Sequence, residues 1–472
     1  MAESGKSVKS GVVIRAGIWY TMSSFMTKGI SFLSTPVFTR LLSSNDYGEF
    51  SNFVAWAGIV VIVATMDMHA TVNRARYDYE NLDGYLSSVA ICGTVVTTIL
   101  WGIVQLFPAF FTKFFSMEMP YINILFITTM VSPALTLLQA KNRINYRYKT
   151  YVALSFGSAL LATGVSLILV LLMKNQLAGR IIGHYGTVFL IDLCVYIYIL
   201  YKGRQVRWDQ CRYALLICIP MIPHLLSKYI LNQSDRIMIK QFCGASDTAF
   251  YSLAYSCAMI PIMLGTATNV AWSPWSSEQI YKSKFETVRK ASYYYILGFY
   301  LIVLAMFLLG PEVIFIMGGK KYASALYVMP PVVMGAAFQF LYNLYVALEQ
   351  FAKKTVGMAF GTAAAAMINI VLNFILIPRY GYIAAAYTTL FGYMCLLIIH
   401  FFLARRTGYV QAYDTKFVFG SVAALFGIML AVLMMYSLTP LIRYVIVAVL
   451  GVAGCTFIYK NLDFIKNIMK KR

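Results

Sequence analysis

The sequence predicts an all-α polytopic membrane protein of about fourteen transmembrane helices, and three observations carry that prediction. Of the 472 residues, 60% are hydrophobic and only 12% are charged, with a mean hydropathy of +0.70, which excludes a soluble enzyme with ordinary surfaces. Apolar runs of membrane length follow one another along the chain, each bounded by charge. The basic residues behind the net charge of +21 collect in the short connections, as the positive-inside rule requires, and do not form a nucleic-acid patch.

Taken in order, the runs fall at roughly 16–40, 50–73, 84–112, 119–140, 150–173, 179–201, 213–235, 248–271, 291–311, 323–348, 355–377, 381–404, 417–438 and 441–459. An even number that starts inside ends inside. On that reading 27 basic residues lie on the inner side and 10 on the outer, with Lys28 and Lys228 in mid-run completing the 39. Both termini are therefore expected in the cytoplasm. Lys6, Lys9 and Arg15 precede the first run without a small-residue cleavage site, so a retained first helix is expected. The eight cysteines have no CxxC or disulfide spacing and read as small core residues. No connection is long enough to be a separate soluble domain, and the longest, around Ser273 to Lys290, lies inside. A polymerase or ligase would need an outer loop to hold paired acids.

The chain repeats itself weakly. Thr39 to Ser51 can be laid on Ile239 to Ser252 with one inserted residue, pairing Arg40 with Lys240, Asp46 with Asp247, Phe50 with Tyr251 and Ser51 with Ser252. Lys28 falls on Lys228 at the same offset of about two hundred residues, so a six-helix unit occurs twice, as a parallel repeat. This gives residues 1–204 as an N-terminal lobe, 205–404 as a C-terminal lobe, and 405–472 as two further helices with a basic tail. The basic segment Lys202 to Arg212 reads as the link between lobes.

Charged residues inside the runs are the candidates for function. Lys28 and Lys228 each sit about 12 residues, or roughly 18 Å along a helix, from a basic flank, too deep for easy snorkelling, the plainer alternative. A mirrored pair of mid-membrane cations points to a substrate path for an anion such as a phosphate or pyrophosphate. Asp235 and Arg236 end the seventh run, where a local salt bridge is the competing reading. Asp67, His69 and Arg74 follow the second run. Asp67 and Arg74, seven residues apart, would share a helix face, for structural pairing or, less simply, proton coupling. Asp192, His184, His224, Glu349 and His400 stand isolated in the sequence and receive no role. Pro36, Pro133, Pro220, Pro223, Pro261 and the Pro330-Pro331 pair punctuate the helices, as where helices bend around a cavity. No phosphate-binding loop, metal cluster or catalytic triad stands out, so no cofactor, no metal and no enzymatic reaction are expected.

The segment GIWYTMSSFMTKGISFLSTPVFTRLLSSNDYGEFS, the Asp235-Arg236 pair followed by Phe242-Cys243-Gly244 and Tyr251, the basic NRINYRYK after the fourth helix, and Lys354-Thr355 opening the eleventh resemble the polysaccharide repeat-unit flippases. These are the O-antigen and capsule translocases of the multidrug/oligosaccharidyl-lipid/polysaccharide exporter (MOP) superfamily. The resemblance covers the whole chain in length and helix count. It implies two MATE-like six-helix lobes in a V around a central cavity, plus two helices, in a bacterial inner membrane. It also implies translocation of an undecaprenyl-pyrophosphate-linked oligosaccharide from the cytoplasmic to the outer leaflet by alternating access. Lys28 and Lys228 match cavity cations that engage the pyrophosphate, Arg40 and Arg236 less closely. The expected partners are that lipid-linked substrate, membrane lipids and, as further candidates, other polysaccharide-assembly proteins of the membrane, with no nucleic acid. A multidrug or small-solute antiporter of the same superfamily is the first rival, though it would want a buried acid where the first helix carries Lys28. A membrane polymerase or ligase is the second, and a lipid II flippase is a near neighbour.

Overall fold

A computed structural model of the chain describes residues 10–437 and 440–460. The basic ends on which the orientation partly rests lie outside the described residues, as do the side chains of His224 and Lys228 within their helix. The described residues form helices, turns and irregular connections, with no strand. In chain order the long helices are α1 (Ser10–Leu41), α2 (Ser44–Thr65), α3 (Leu82–Leu106), α4 (Met119–Ile144), α5 (Tyr148–Leu172), α6 (Gln176–Gly203), α7 (Ile222–Phe242), α8 (Ala245–Tyr281), α9 (Phe285–Leu308), α10 (Met329–Phe351), α11 (Gly357–Tyr380), α12 (Tyr382–Arg405), α13 (Thr415–Met435) and α14 (Pro440–Lys460). Among the described residues 11 helices are long and apolar enough to cross a membrane, all of these but α1, α7 and α14. Of those three, α1 and α7 are the helices that carry Lys28 and Lys228. The chain is an all-helical, multi-pass membrane protein.

Short polar residues start the helices by satisfying backbone donors that have no partner inside the first turn. Ser43 Oγ accepts from Asp46 N (3.0 Å) at α2 and Asn81 Oδ1 from Gly84 N (2.9 Å) at α3. Asn175 Oδ1 accepts from Ala178 N (2.9 Å) at α6, and Asp414 Oδ1 from Phe417 N (3.2 Å) at α13. The prolines divide into two kinds. Pro36, Pro261, Pro274 and Pro378 lie inside helices, where a missing N–H frees a carbonyl. Pro223 and Pro330 occupy first turns, where the missing donor costs nothing, and Pro133 opens the second segment of α4, after the break at Ser132.

The chain folds into two compact units. One comprises residues 1–249 with the short stretch Ile377–Gly381, the other Phe250–Leu376 and Tyr382–Arg472. The first unit has two apolar cores. One gathers Phe53, Trp56, Phe115, Ile122 and Ile181; the other gathers Met68, Val72, Tyr85, Leu137, Ile199 and Ala214. The segment after α6 is docked, not loose. Ser87 Oγ donates to Gln205 O (2.5 Å), and Ser88 Oγ donates to Gln210 Oε1 (2.7 Å) and accepts from Arg207 N (3.0 Å). Helix Trp208–Cys218 and the 3₁₀ turn Ile219–Met221 then lead into α7, which packs on α2. In the second unit α10 is the buried centre, with α9, α12 and α13 against it. Arg443 of α14, 4% exposed, forks onto the Glu312 carboxylate (3.1 and 3.0 Å) and donates to Leu308 O (3.0 Å), tying α14 to the end of α9. A planar guanidinium suits such a bidentate contact.

Lipid tails are as apolar as leucine, so close packing has to hold membrane helices together. Gly179 and Gly183 on α6 do this against α5. A Cβ at Gly183 would lie 2.4 Å from Ser166 Cα, and one at Gly179 would lie 2.7 Å from Leu169 O. Gly183→Leu is therefore expected to destabilise the protein by about 1–3 kcal/mol, because backbone would have to move. Gly164→Leu, with nothing within 4 Å of its Cβ, serves as the control. Thermal unfolding in detergent should show a lower midpoint for Gly183→Leu alone; equal midpoints would reject the close-packing account.

Candidate functional site

Lys28 lies in the middle of α1 with an exposed side chain. No ion pair holds it among the described residues. The N-terminal half of α1 is fastened to the basic segment around Lys141 to Lys149. Trp19 stacks on Tyr148 (6.3 Å between centroids), Tyr20 meets Tyr151 edge-on (4.8 Å), and Tyr20 Oη donates to Asn142 O (3.4 Å). Lys28 stands beyond those anchors.

Arg40, exposed at the far end of α1, turns back on its own helix, its Nη1 donating to Pro36 O (2.8 Å). Thr39 Oγ1 donates to the same carbonyl (3.1 Å). A basic side chain on the last carbonyls is a helix C-terminal contact. On α7, Arg236 does likewise: its Nη1 donates to Gln233 Oε1 and lies 3.5 Å from Asn232 O. Asp235 beside it is fully buried and engaged. The pair does not mark the end of the helix, which runs on to Phe242. Lys228 lies in α7 with its side chain outside the described residues.

The α2–α7 seam is built by glycine and one ion pair. A Cβ at Gly58 would meet the Tyr229 hydroxyl at 1.9 Å and one at Gly48 would meet Ala245 O at 1.7 Å, so α7 and its continuation lie against bare backbone. Tyr229 Oη donates to Val54 O (3.3 Å), and Lys240 of α7 pairs with Glu49 of α2. Beside this pair a cavity of about 710 Å³ opens, lined by Asn45, Asp46, Glu49, Glu118, Tyr121 and Asn175 among others. Its three carboxylates make it a poor cradle for a phosphate. Among the described residues no group of three or more His, Cys, Asp or Glu is placed to hold a metal ion.

Asp67, His69 and Arg74 do not act together. The helical face that would join Asp67 to Arg74 does not exist, because Met66 and Asp67 break it with left-handed backbone (φ 49° and 52°) before a 3₁₀ turn, Met68–Thr71. Asp67 Oδ1 lies 3.1 Å from His69 Nδ1. Arg74 Nε instead donates to Asp78 Oδ2 (3.1 Å), which also accepts from Tyr213 Oη (2.6 Å). The Tyr213 hydroxyl first, with Arg74, holds the Asp78 carboxyl below its ordinary range.

Three polar features escape a reading by spacing. Arg180, which the charge count places in an outer connection, lies in α6 with its guanidinium carbon 3.6 Å from the Phe38 ring centroid and 4.3 Å from that of Phe50. Its Nη1 donates to Ser166 Oγ (2.8 Å), and a π-helical stretch, Ile182–Gly186, follows it. The Gly-x-x-x-Gly at 179–183 was the available signal. Glu349 and His400, isolated in the sequence, meet in the second unit, His400 Nδ1 2.7 Å from Glu349 Oε1 with both side chains 1% exposed. The fold brings together α10 and α12, which 51 residues of chain separate. A third buried set, Asn369 and Asn373 with Thr388 and Thr389, hydrogen-bonds α11 to α12.

The comparisons with known proteins agree with this architecture. The chain matches the family described as polysaccharide biosynthesis protein over residues 13–280. It is 22% identical to Lsg locus protein 1 of Haemophilus influenzae over 331 residues, 67% of this chain and 79% of that one. Its fold is similar to that of the lipid II flippase MurJ in an inward closed conformation, with a TM-score of 0.74 at 14% identity over 94% of this chain and 99% of that one. It is also similar to an inward-facing MATE multidrug resistance transporter of the MOP superfamily, with a TM-score of 0.58 at 14% identity over 81% of this chain and 95% of that one. At these identities the solved structures speak for the fold, while the family match spans more than half of the chain. The chain belongs to the polysaccharide biosynthesis protein family, as a multi-pass membrane protein whose fold is similar to those two structures.

Proposed function

We propose that the protein is a flippase that carries an undecaprenyl-pyrophosphate-linked oligosaccharide repeat unit from the cytoplasmic to the outer leaflet, for assembly of a surface polysaccharide such as O-antigen, capsule or exopolysaccharide. The observation that carries this reading is the union of a polysaccharide-biosynthesis family with a fold similar to that of a protein named as a lipid II flippase. A lipid-linked sugar needs a path for its polar head and an opening to lipid for its tail. Two six-helix lobes, 1–204 and 205–404, working by alternating access supply both, with 405–472 as an accessory pair. The proposed site is the inner membrane with both termini in the cytoplasm, which agrees with the distribution of basic residues in the sequence.

In this reading Lys28 and Lys228 contact the pyrophosphate. Lys28 supports it by being a mid-helix cation with no ion-pair partner among the described residues, since an ammonium at such depth needs water or an anion. Arg40 and Arg236, each with a guanidinium nitrogen bonded to its own helix, add positive field and hold the head group less directly. Asp67, His69, Arg74 and Asp235 are proposed as structural pairings.

The test is transport into liposomes that contain the purified protein. A fluorescent undecaprenyl-pyrophosphate-linked oligosaccharide should reach the opposite leaflet faster than in empty liposomes. Lys28→Ala with Lys228→Ala should slow it by at least about a hundredfold, the loss expected for two charge-assisted contacts. Crossing that survives the double substitution would keep the flippase and remove its anion site. No crossing with a range of glycans would turn the reading to a small-solute antiporter on the same fold.

A further inference from the structure

Within the second unit a partly enclosed cleft lies between α8, α9 and α10. Asn269 of α8 with Gln339 and Asn343 of α10 supply its amides, and Tyr295 and Phe299 of α9 with Phe340 of α10 supply its rings. Helical spacing builds the walls, because Gln339 and Asn343 share one face of α10 while Gly265 and Asn269 share one face of α8.

The rings are held in place. Phe299 stacks on Phe340 (4.0 Å between centroids, 3°), Tyr295 meets Phe340 at 4.8 Å, and Trp272 of α8 stacks on Tyr295 (4.3 Å, 15°). The Tyr295 hydroxyl lies 3.1 Å from that of Thr268. A Cβ at Gly265 would lie 3.0 Å from Phe299 Cε2, so this ring comes up to bare backbone. The amides, in contrast, are left open. Asn269 and Asn343 make no side-chain hydrogen bond among the described residues. Gln339 Oε1 is buried and has no partner among the described residues, while the Tyr342 hydroxyl engages the same amide. Hydrocarbon cannot satisfy an amide, so these groups need water or a ligand.

Size and chemistry narrow the ligand. The cleft encloses about 50 Å³, against roughly 300 Å³ or more for a pocket that takes a whole small molecule, so a sugar ring does not enter it. That space holds a few water-sized centres, the bulk of one small substituent. No carboxylate, ammonium, guanidinium or imidazole lines it, so it matches neither a pyrophosphate nor a cation. The group that fits is neutral and combines an N–H donor, a carbonyl acceptor and an apolar end. An acetamido group has all three. Its N–H would donate to Gln339 Oε1, its carbonyl would accept from an asparagine amide, and its methyl would rest on the Phe299 and Phe340 rings. A hydroxyl in its place would leave the asparagine amides and the rings without a partner.

We infer that this cleft is a sugar-selecting subsite that takes the acetamido group of a 2-acetamido sugar in the transported oligosaccharide, with Gln339 and Asn343 determining the selection. The inference rests on the flippase reading for the transported substrate, while binding of the acetamido group is read without transport.

Two measurements on the full chain keep the two apart. In proteoliposomes, crossing is timed for a pair of undecaprenyl-pyrophosphate disaccharides that differ only in a 2-acetamido or a 2-hydroxyl group. Wild type should move the acetamido lipid about tenfold faster, as the loss of one or two hydrogen bonds implies. In Gln339→Met and Asn343→Leu, which keep the bulk and remove the amide, that ratio should fall to about one. A ratio near one in wild type, or a preference unchanged in both variants, would overturn the subsite; the wild-type comparison holds even where a variant fails to fold. Separately, saturation-transfer NMR of the purified protein with methyl 2-acetamido-2-deoxyglucoside should show saturation of the acetyl methyl in wild type and its loss in Gln339→Met. No acetyl signal in wild type, or the same signal in both proteins, would overturn the subsite. An acetyl signal lost in the variant, together with no crossing of either lipid, would uphold the subsite and count against the flippase reading.

Discussion

Hydrocarbon offers no partner to a charged or polar group, so each such group within a span must find one in the protein, face water or hold a ligand. Several charges of this chain follow that constraint, whereas Asp192 in α6, 3% exposed, keeps a carboxyl oxygen without a hydrogen-bond partner among the described residues. Glu49 takes Lys240, Glu312 takes Arg443, and Glu349 takes His400. Among the described residues Arg180 meets no acid and is accommodated by two aromatic faces and a serine hydroxyl. Breaking one partner from a buried pair leaves the other uncompensated, which is why such pairs fix helix positions even where their net contribution to stability is small. Lys28, exposed on its helix and without an ion pair among the described residues, is the cation that the proposed function assigns to the substrate.

The same solvent sets how the helices hold together. Where burial of apolar surface gives no advantage over lipid, backbone must approach backbone, and glycine permits it. Gly179 and Gly183 seat α6 on α5, while Gly48 and Gly58 let α7 and its continuation lie on α2. The last of these contacts matters for the architecture. α7, which the expected repeat would give to the second lobe, belongs to the first compact unit, with Tyr229 and Lys240 fastening it to α2.

Much of this was legible in the residues. Length and composition of the apolar runs identify a membrane protein, and two of the three helices that fall short of a span are those whose runs contain Lys28 and Lys228. The runs begin two to six residues inside the helices, whose true starts Ser43, Asn81, Asn175 and Asp414 mark by capping in the way their chemistry favours. Three things were not. The helix through Asp67 breaks at two consecutive left-handed residues, neither of them glycine, so spacing along an imagined helix joined Asp67 to Arg74 wrongly. Partners distant in sequence, such as Glu349 and His400, meet only through tertiary packing, which has no local signature. Arg180 reads as a loop cation until its ring and serine partners are known, although the flanking glycines hint at close packing.

The central claim is that a mid-membrane lysine is kept to hold a lipid pyrophosphate, and the most direct test is binding, without transport. Calorimetric titration of the purified protein with undecaprenyl pyrophosphate should show Lys28→Ala binding about ten- to a hundredfold more weakly than wild type, as loss of one charge-assisted contact implies, with Lys28→Arg close to wild type. Equal affinity in wild type and Lys28→Ala would contradict the account and return Lys28 to a side chain that merely reaches for water.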